Sequence, residues 1–190
     1  LPFITSLISI EGYGQYAVIV SFTTIVSTIA FLGMSASLSR QYYTAKSTSH
    51  KSSIFTLGLS ITFIGALLQT IIVILYSKQI SSLVFNTSFN HDLSLALCLG
   101  VAYSSMQIIS NYISIVFRLE RKALQALIYS LSLSALTITS LFLIHHFVDK
   151  PRLADVFIAL ILSSSIHLVL YFFALVPKKL NFCFDFTILI

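Results

Sequence analysis

Five long stretches without a charged residue constrain the fold of this chain more than any other feature. The chain has 190 residues, of which 11 are Lys or Arg and 6 are Asp or Glu, and the uncharged windows between them are 16–39, 54–76, 93–117, 123–146 and 156–176. Each window is 21 to 25 residues long. About 20 helical residues cross the ~30 Å hydrocarbon core of a bilayer, so each window is predicted to be one membrane-spanning helix.

The composition excludes the other common classes of protein. Only 9% of the residues are charged and 57% are hydrophobic, whereas a soluble domain is about 25% charged. The apolar runs do not alternate as the strands of a β-barrel would, and a segment in lipid must satisfy its backbone internally. The predicted fold is therefore all-α, a polytopic transmembrane bundle of about six helices.

Both ends of the sequence look like parts of further spans. Residues 1–8 are apolar but too short to cross a membrane, and they lack the initiator Met and the basic segment of a signal peptide. Residues 182–190 turn apolar again. We therefore expect residues 1–190 to form a single transmembrane domain that is a fragment, with a truncated first helix at 1–8.

The basic residues are distributed unevenly between alternate loops. One set of loops holds eight Lys and Arg residues, at 40–53, 118–122 and 177–185. The other set holds three, at 9–15, 77–92 and 147–155. Basic residues favour the cytoplasmic side of short loops, so the first set is predicted to be cytoplasmic. The net charge of +5 then indicates contact with membrane lipids, and no pattern of nucleic-acid binding accompanies it.

Two windows carry neutral polar residues along one helical face. In and just beyond 93–117, they fall within an arc of about 80°: Gly100, Ser104, Gln107, Asn111, Ser114 and Arg118. In 16–39, they fall within about 60°: Ser21, Thr24, Thr28, Ser35 and Ser39. Such a stripe either joins neighbouring helices or forms the wall of a water-filled or sugar-binding cavity, and both interpretations stay open.

The sequence carries no constellation of catalytic or metal-binding residues. It lacks the nucleophile, zinc-protease and phosphate-loop motifs, and no paired carboxylates occur. His167, near the middle of window 156–176, is either a proton relay or a hydrogen-bond partner of a neighbouring helix. We therefore predict no metal, no cofactor and no enzymatic activity, which leaves a transporter of a large polar solute or a structural bundle.

Two local patterns give the chain a family resemblance. One is EGYGQYA at 11–17, followed by LGM at 32–34 and then by Arg40, and the other is RLERKAL at 118–124. Gly12 and Gly14 in the first pattern are predicted to permit a tight turn between antiparallel helices. Both patterns resemble the polysaccharide biosynthesis protein family, the O-antigen and capsule flippases of the multidrug/oligosaccharidyl-lipid/polysaccharide exporter superfamily.

The resemblance implies a multi-pass protein of the bacterial inner membrane. It would translocate a polyprenyl-pyrophosphate-linked oligosaccharide for O-antigen or capsule synthesis. Such exporters have two pseudo-symmetric lobes, so this chain would be the N-terminal lobe, and its partner would be the missing C-terminal lobe of the same chain.

The resemblance also directs attention to four substrate-binding candidates. Gln107 and Asn111 lie on the stripe that would face the sugar, and Arg40 and Arg118 lie at helix ends where they would meet the pyrophosphate. Related flippases carry arginines inside the cavity, whereas no window here contains one. Either the missing parts supply that charge, or this member recognises its substrate differently.

Two other functions stay open at this stage. One is a cation-coupled multidrug exporter of the same superfamily, but such an exporter would normally carry an acidic residue inside a span, and the windows contain none. The other is a non-transporting membrane assembly subunit.

Overall fold

The computed structural model describes residues 5, 8–31, 34–45, 47–85, 90–148 and 151–179, with the backbone alone at 30, 34–36 and 172–179. Seven α-helices and no strand occupy these ranges: α1 Ile10–Phe31, α2 Met34–Thr44, α3 Thr48–Leu75, α4 Ser77–Phe85, α5 His91–Leu119, α6 Ala123–Phe147 and α7 Leu153–Lys179. The predicted all-α bundle is confirmed.

Four helices of the described part are long and apolar enough to cross a membrane. They are α3, α5, α6 and the Leu153–Tyr171 part of α7, and the last four uncharged windows coincide with them to within a few residues. Window 16–39 contributes to both α1 and α2. The expected ends of further spans, 1–8 and 182–190, lie largely or wholly outside the described residues.

Polar side chains at the helix starts accept hydrogen bonds from backbone N–H groups that the α-helix itself leaves unpaired. Ser47 Oγ accepts from the backbone N of His50 at 3.1 Å before α3, and Asn90 Oδ1 accepts from Asp92 N at 2.9 Å before α5. Capping residues and charged residues therefore lie at the helix ends, and the helix interiors are uncharged.

The prediction of a tight turn at Gly12 and Gly14 is wrong, because both glycines lie inside α1. Ser9 Oγ accepts a hydrogen bond from Gly12 N at 3.2 Å, which is how a capping residue begins a helix. The helix therefore starts before the glycines, and neither of them adopts a backbone conformation that only glycine favours.

The fifth helix is the centre of the bundle. Its residues Leu97 and Val101 are fully buried against Ile19 of α1 and against Val156 and Phe157 of α7. Two further clusters bury the second half of α5 against α2, α3 and α6. By contrast, α3 and α6 expose many large apolar side chains, as helices that face lipid do.

Hydrogen bonds between side chains join α3 to α5. Gln69 Nε2 donates to Ser105 Oγ at 2.6 Å, and the Thr70 and Ser105 hydroxyls lie 2.8 Å apart. Ser105 Oγ also donates to the carbonyl oxygen of Ala66 at 3.1 Å. Bonds of this kind hold membrane helices together where lipid offers no hydrophobic driving force.

His167 of α7 is fully buried against α6. Its Nε2 lies 3.0 Å from Ser132 Oγ and 3.1 Å from the carbonyl oxygen of Tyr129. A carbonyl only accepts, so Nε2 carries the hydrogen. Of the two interpretations of this histidine, the contacts favour hydrogen bonding to the neighbouring helix.

Candidate functional site: a polar groove between the first and fifth helices

A groove of about 460 Å³ runs between α1 and α5. Its polar lining comes from both helices: Thr23, Thr24, Ser27 and Thr28 on α1, and Tyr103, Ser104, Gln107 and Asn111 on α5. Phe31 and Phe157 add aromatic surface. Parts of the two polar stripes therefore lie on opposite walls of one groove, namely Thr24 and Thr28 on α1 and Ser104, Gln107 and Asn111 on α5. Ser21 does not line the groove, Ser39 lies in α2, and the side chain of Ser35 lies outside the described residues.

Close packing of α1 on α5 positions the groove. A Cβ atom on Gly100 would overlap Cγ2 of Ile19 and would lie 3.4 Å from ring carbons of Phe157. The absence of a side chain at Gly100 therefore brings the two helices into contact. The groove begins directly beyond this contact, at Val20 on α1 and Tyr103 on α5.

The α5 stripe therefore has a part that packs against another helix and a part that lines the groove. Gly100 forms the helix–helix contact, whereas Ser104, Gln107 and Asn111 line the groove. On α1, the hydroxyls of Thr24 and Thr28 donate hydrogen bonds to the carbonyl oxygens four residues earlier, at 2.7 and 2.8 Å. These two hydroxyls hydrogen-bond their own helix, and each still has a lone pair that faces the groove.

Gln107 is held in place by two neighbours. Its Nε2 lies 2.9 Å from the Tyr103 hydroxyl and 3.4 Å from Ser164 Oγ on α7. Ser164 is almost fully buried, so the amide is oriented by the protein on one side. This fixed amide forms part of the groove wall.

Two polar groups in the groove have no partner within the described ranges. The Ser27 hydroxyl is buried there without a hydrogen bond. The Asn111 side chain is exposed, and no described residue hydrogen-bonds its amide. The exposed Asn111 amide can both donate to and accept from an occupant of the groove, whereas the Ser27 oxygen is covered by its neighbours.

The structure brings together two of the four predicted site residues. Gln107 and Asn111 line the groove, whereas Arg40 and Arg118 are both exposed and neither lines it. Arg118 lies on the same helical face as Asn111, two turns or about 10 Å further along α5. The prediction that Arg40 ends a helix is wrong, because Arg40 lies inside α2, which continues to Thr44.

Sequence reasoning missed the polar residues Thr23, Ser27 and Tyr103 and the aromatic residues Phe31 and Phe157. Thr23 and Ser27 lie outside the arc of the α1 stripe, and Phe157 lies on α7, whose window carries no polar stripe that points to the groove. The spacing of Tyr103 and Gln107, four residues apart on a helix, was the one available signal. No group of three or more His, Cys, Asp or Glu residues in the described ranges could hold a metal ion.

Comparison with known proteins gives one match. A family model described as "Polysaccharide biosynthesis protein" matches residues 1–189. No curated protein and no solved structure matches the chain. The family match covers all seven helices and both walls of the groove.

Proposed function

Because the chain belongs to the polysaccharide biosynthesis protein family, we propose that it is part of a flippase for lipid-linked oligosaccharide. Its family and its four apolar helices make it a membrane protein of polysaccharide biosynthesis, and members of this family are typically transporters rather than enzymes. The finer proposal is that it moves a polyprenyl-pyrophosphate-linked oligosaccharide across the bacterial inner membrane for O-antigen or capsule synthesis.

The observation that supports this proposal most directly is the unpaired Asn111 amide in the groove. An amide that is taken out of water without a partner costs ~1–3 kcal/mol, so a polar side chain at this depth of a bundle favours a polar occupant. Sugar hydroxyls both donate and accept, which suits the exposed Asn111 amide on the α5 wall of the groove. The partly exposed ring of Phe31 provides a flat apolar surface for the face of a sugar ring.

The proposal assigns different parts of the substrate to different residues. Gln107 and Asn111 bind sugar hydroxyls, while Arg118, at the end of α5, and Arg40, within α2, interact with the pyrophosphate. Asn111 is exposed in this bundle. In the proposed transporter the second lobe of the same protein covers it, and alternating access between the lobes moves the sugar.

The test replaces Asn111 with Leu in the intact protein, in cells that lack the natural copy. Loss of one neutral hydrogen-bonding group corresponds to ~0.5–1.5 kcal/mol, or up to about tenfold in rate. We expect less surface polysaccharide and a build-up of its lipid-linked precursor. Ser130→Leu is the matched control, because Ser130 is exposed on α6 and bonds only the Ala126 carbonyl of its own helix.

Unchanged polysaccharide and precursor at equal protein levels would refute the role of Asn111.

A second measurement separates the flippase from a non-transporting assembly subunit. In protein whose native cysteines are replaced by Ser, Asn111→Cys is expected to react with a water-soluble maleimide, while Leu131→Cys on the outer face of α6 does not. If neither cysteine reacts with the maleimide, the result would favour the assembly subunit, since its groove would hold no water.

A further inference from the structure

A second cavity, of about 500 Å³, lies where α2 and α5 end and α3 begins. Six of its lining residues are polar or charged: Tyr42, Tyr43, Lys51, Glu120, Arg121 and Lys122. All six lie just outside the uncharged windows that end on this side of the bundle. If those windows cross the hydrocarbon core, the cavity is at the height of the lipid headgroups.

The turn between α5 and α6 presents Arg121 in an unusual conformation. Arg121 has φ of 55°, and it is the one residue other than glycine with positive φ in the described ranges. The N–H of Arg121 bonds the carbonyl of Arg118 at 3.1 Å, and the N–H of Lys122 bonds that of Phe117 at 3.1 Å. This is a Schellman motif, whose left-handed position is usually glycine because any other side chain costs free energy there.

Positive charge exceeds negative charge in this cavity. Lys122 Nζ lies 3.0 Å from Glu120 Oε2, so that pair is compensated. Lys51 Nζ lies 5.0 Å from the centre of the Tyr42 ring, a cation–π contact that holds the ammonium group beside the cavity. Arg121 forms no ion pair with any residue in the described ranges. Two cations therefore face the cavity without an opposing carboxylate.

The tyrosines add hydrogen-bond donors. Burial, together with the Glu120 carboxylate and Tyr43, raises the pKa of Tyr42 above its ordinary value. The phenol therefore stays protonated at neutral pH and can donate to an anionic oxygen. Cations and phenol donors around one concave site are the groups that bind phosphate oxygens.

We propose that this cavity binds the phosphate group of an anionic membrane lipid, with Arg121 and Lys51 as its main contacts. The position of the cavity at headgroup height favours a phosphate on an apolar tail over a soluble anion. Glycine would be less strained than arginine at this left-handed position. The presence of arginine is explained if its guanidinium group is needed there. The proposal does not depend on the flippase function, because an ordinary phospholipid satisfies the same chemistry.

The test measures dissociation constants of the intact protein in neutral detergent for four probes. They are short-chain phosphatidylglycerol, short-chain phosphatidylcholine, a polyprenyl pyrophosphate and inorganic pyrophosphate. A basic side chain near a membrane surface contributes ~1 kcal/mol to the binding of an anionic lipid, which is about fivefold in affinity. We expect Arg121→Gly to weaken the binding of the anionic lipids by about fivefold and to leave that of phosphatidylcholine unchanged.

Arg121→Gly is chosen because it removes the cation while relieving the left-handed backbone. Its fold is therefore expected to be at least as stable as that of the parent, which thermal unfolding checks. Glu120→Gln should have the opposite effect and strengthen anionic lipid binding, because it removes the carboxylate that pairs with Lys122. Arg152→Gln, which removes an exposed cation directly before α7, is the matched control.

The probes also distinguish the sources of the phosphate. An effect on both anionic lipids supports a general phospholipid site, and an effect on the polyprenyl pyrophosphate alone supports a substrate headgroup site. The proposal is overturned if Arg121→Gly changes no dissociation constant, if Arg152→Gln has the same effect, or if inorganic pyrophosphate binds as tightly as the lipids. Transport plays no part in this measurement, so its result is separate from that of the flippase test.

Discussion

The contact between Gly100 and Ile19 makes a sharp prediction about the stability of the bundle. Replacing Gly100 with Ala adds one methyl group, which would overlap Cγ2 of Ile19. Ile19 is fully buried and packs against Leu97, Val101 and Phe157, so neighbouring atoms leave it little room to move. Overpacking of this kind costs ~1–3 kcal/mol, and it would separate α1 from α5 at the start of the groove.

The matched control is Gly14→Ala, because a Cβ on Gly14 would have no atom within 4 Å. Both glycines lie in helices, where Ala is favoured over Gly by ~1 kcal/mol. This gain appears in both variants and cancels in their difference. Gly14→Ala should therefore be stabilised by ~1 kcal/mol, and Gly100→Ala should be less stable than Gly14→Ala by ~1–3 kcal/mol.

The assay is the free energy of unfolding in mixed micelles, followed by circular dichroism as the fraction of denaturing detergent increases. A variant that also carries Ile19→Ala tests the cause, since it removes the overlapping Cγ2 atom. The Gly100→Ala change should then cost less than in the parent, with a coupling energy of ~1 kcal/mol or more. The reasoning is refuted if Gly100→Ala is as stable as Gly14→Ala, or if the Ile19 change leaves its cost unaltered.

Two further predictions concern hydrogen bonds between helices. Ser105→Ala removes the hydrogen-bond partner of Gln69 and Thr70 and should lower the free energy of unfolding by ~0.6–1.7 kcal/mol. Ser130→Ala should have a smaller effect, because the Ser130 hydroxyl bonds only its own helix. Tyr112→Phe removes the 2.9 Å bond from the buried hydroxyl to the Phe55 carbonyl and should cost ~1 kcal/mol; the same unfolding assay checks both. Because a Cβ on Gly58 would overlap that hydroxyl, Gly58→Ala should destabilise the Tyr112→Phe variant less than the parent, and equal losses would contradict the overlap.

Four long helices, α3, α5, α6 and α7, could be predicted from charge alone, because an ionised side chain is costly inside hydrocarbon and is therefore displaced to helix ends. Window 16–39, predicted to be one helix, instead contributes to α1 and α2. The short-range prediction at Gly12 and Gly14 failed for a local reason. Glycines indicate turns only where the backbone needs positive φ, and here Ser9 caps the helix before they occur. The capping serine lies three residues before Gly12 in the sequence, so the helix is already under way at both glycines.

The candidate site could be predicted only in part. Periodicity placed Gln107 and Asn111 on one face of their helix, but it does not say which other helix that face meets. The pairing of α1 with α5 depends on the close contact at Gly100, which is a property of the packed bundle. Likewise the left-handed Arg121 has no sequence signature, because its residue type is the reverse of what the turn favours.

The arrangement of polar groups along α5 separates neutral recognition from charge recognition. Asn111 and Gln107 are neutral and lie within the span, while Arg118 and Arg121 lie at and just beyond its end. A neutral amide inside the membrane costs far less than an unpaired guanidinium would. For the proposed flippase, this half of the protein therefore keeps the charged part of a substrate at headgroup height while uncharged sugars enter the groove. Moving the pyrophosphate across the membrane then requires cations from outside the described helices, which is a task for the proposed second lobe.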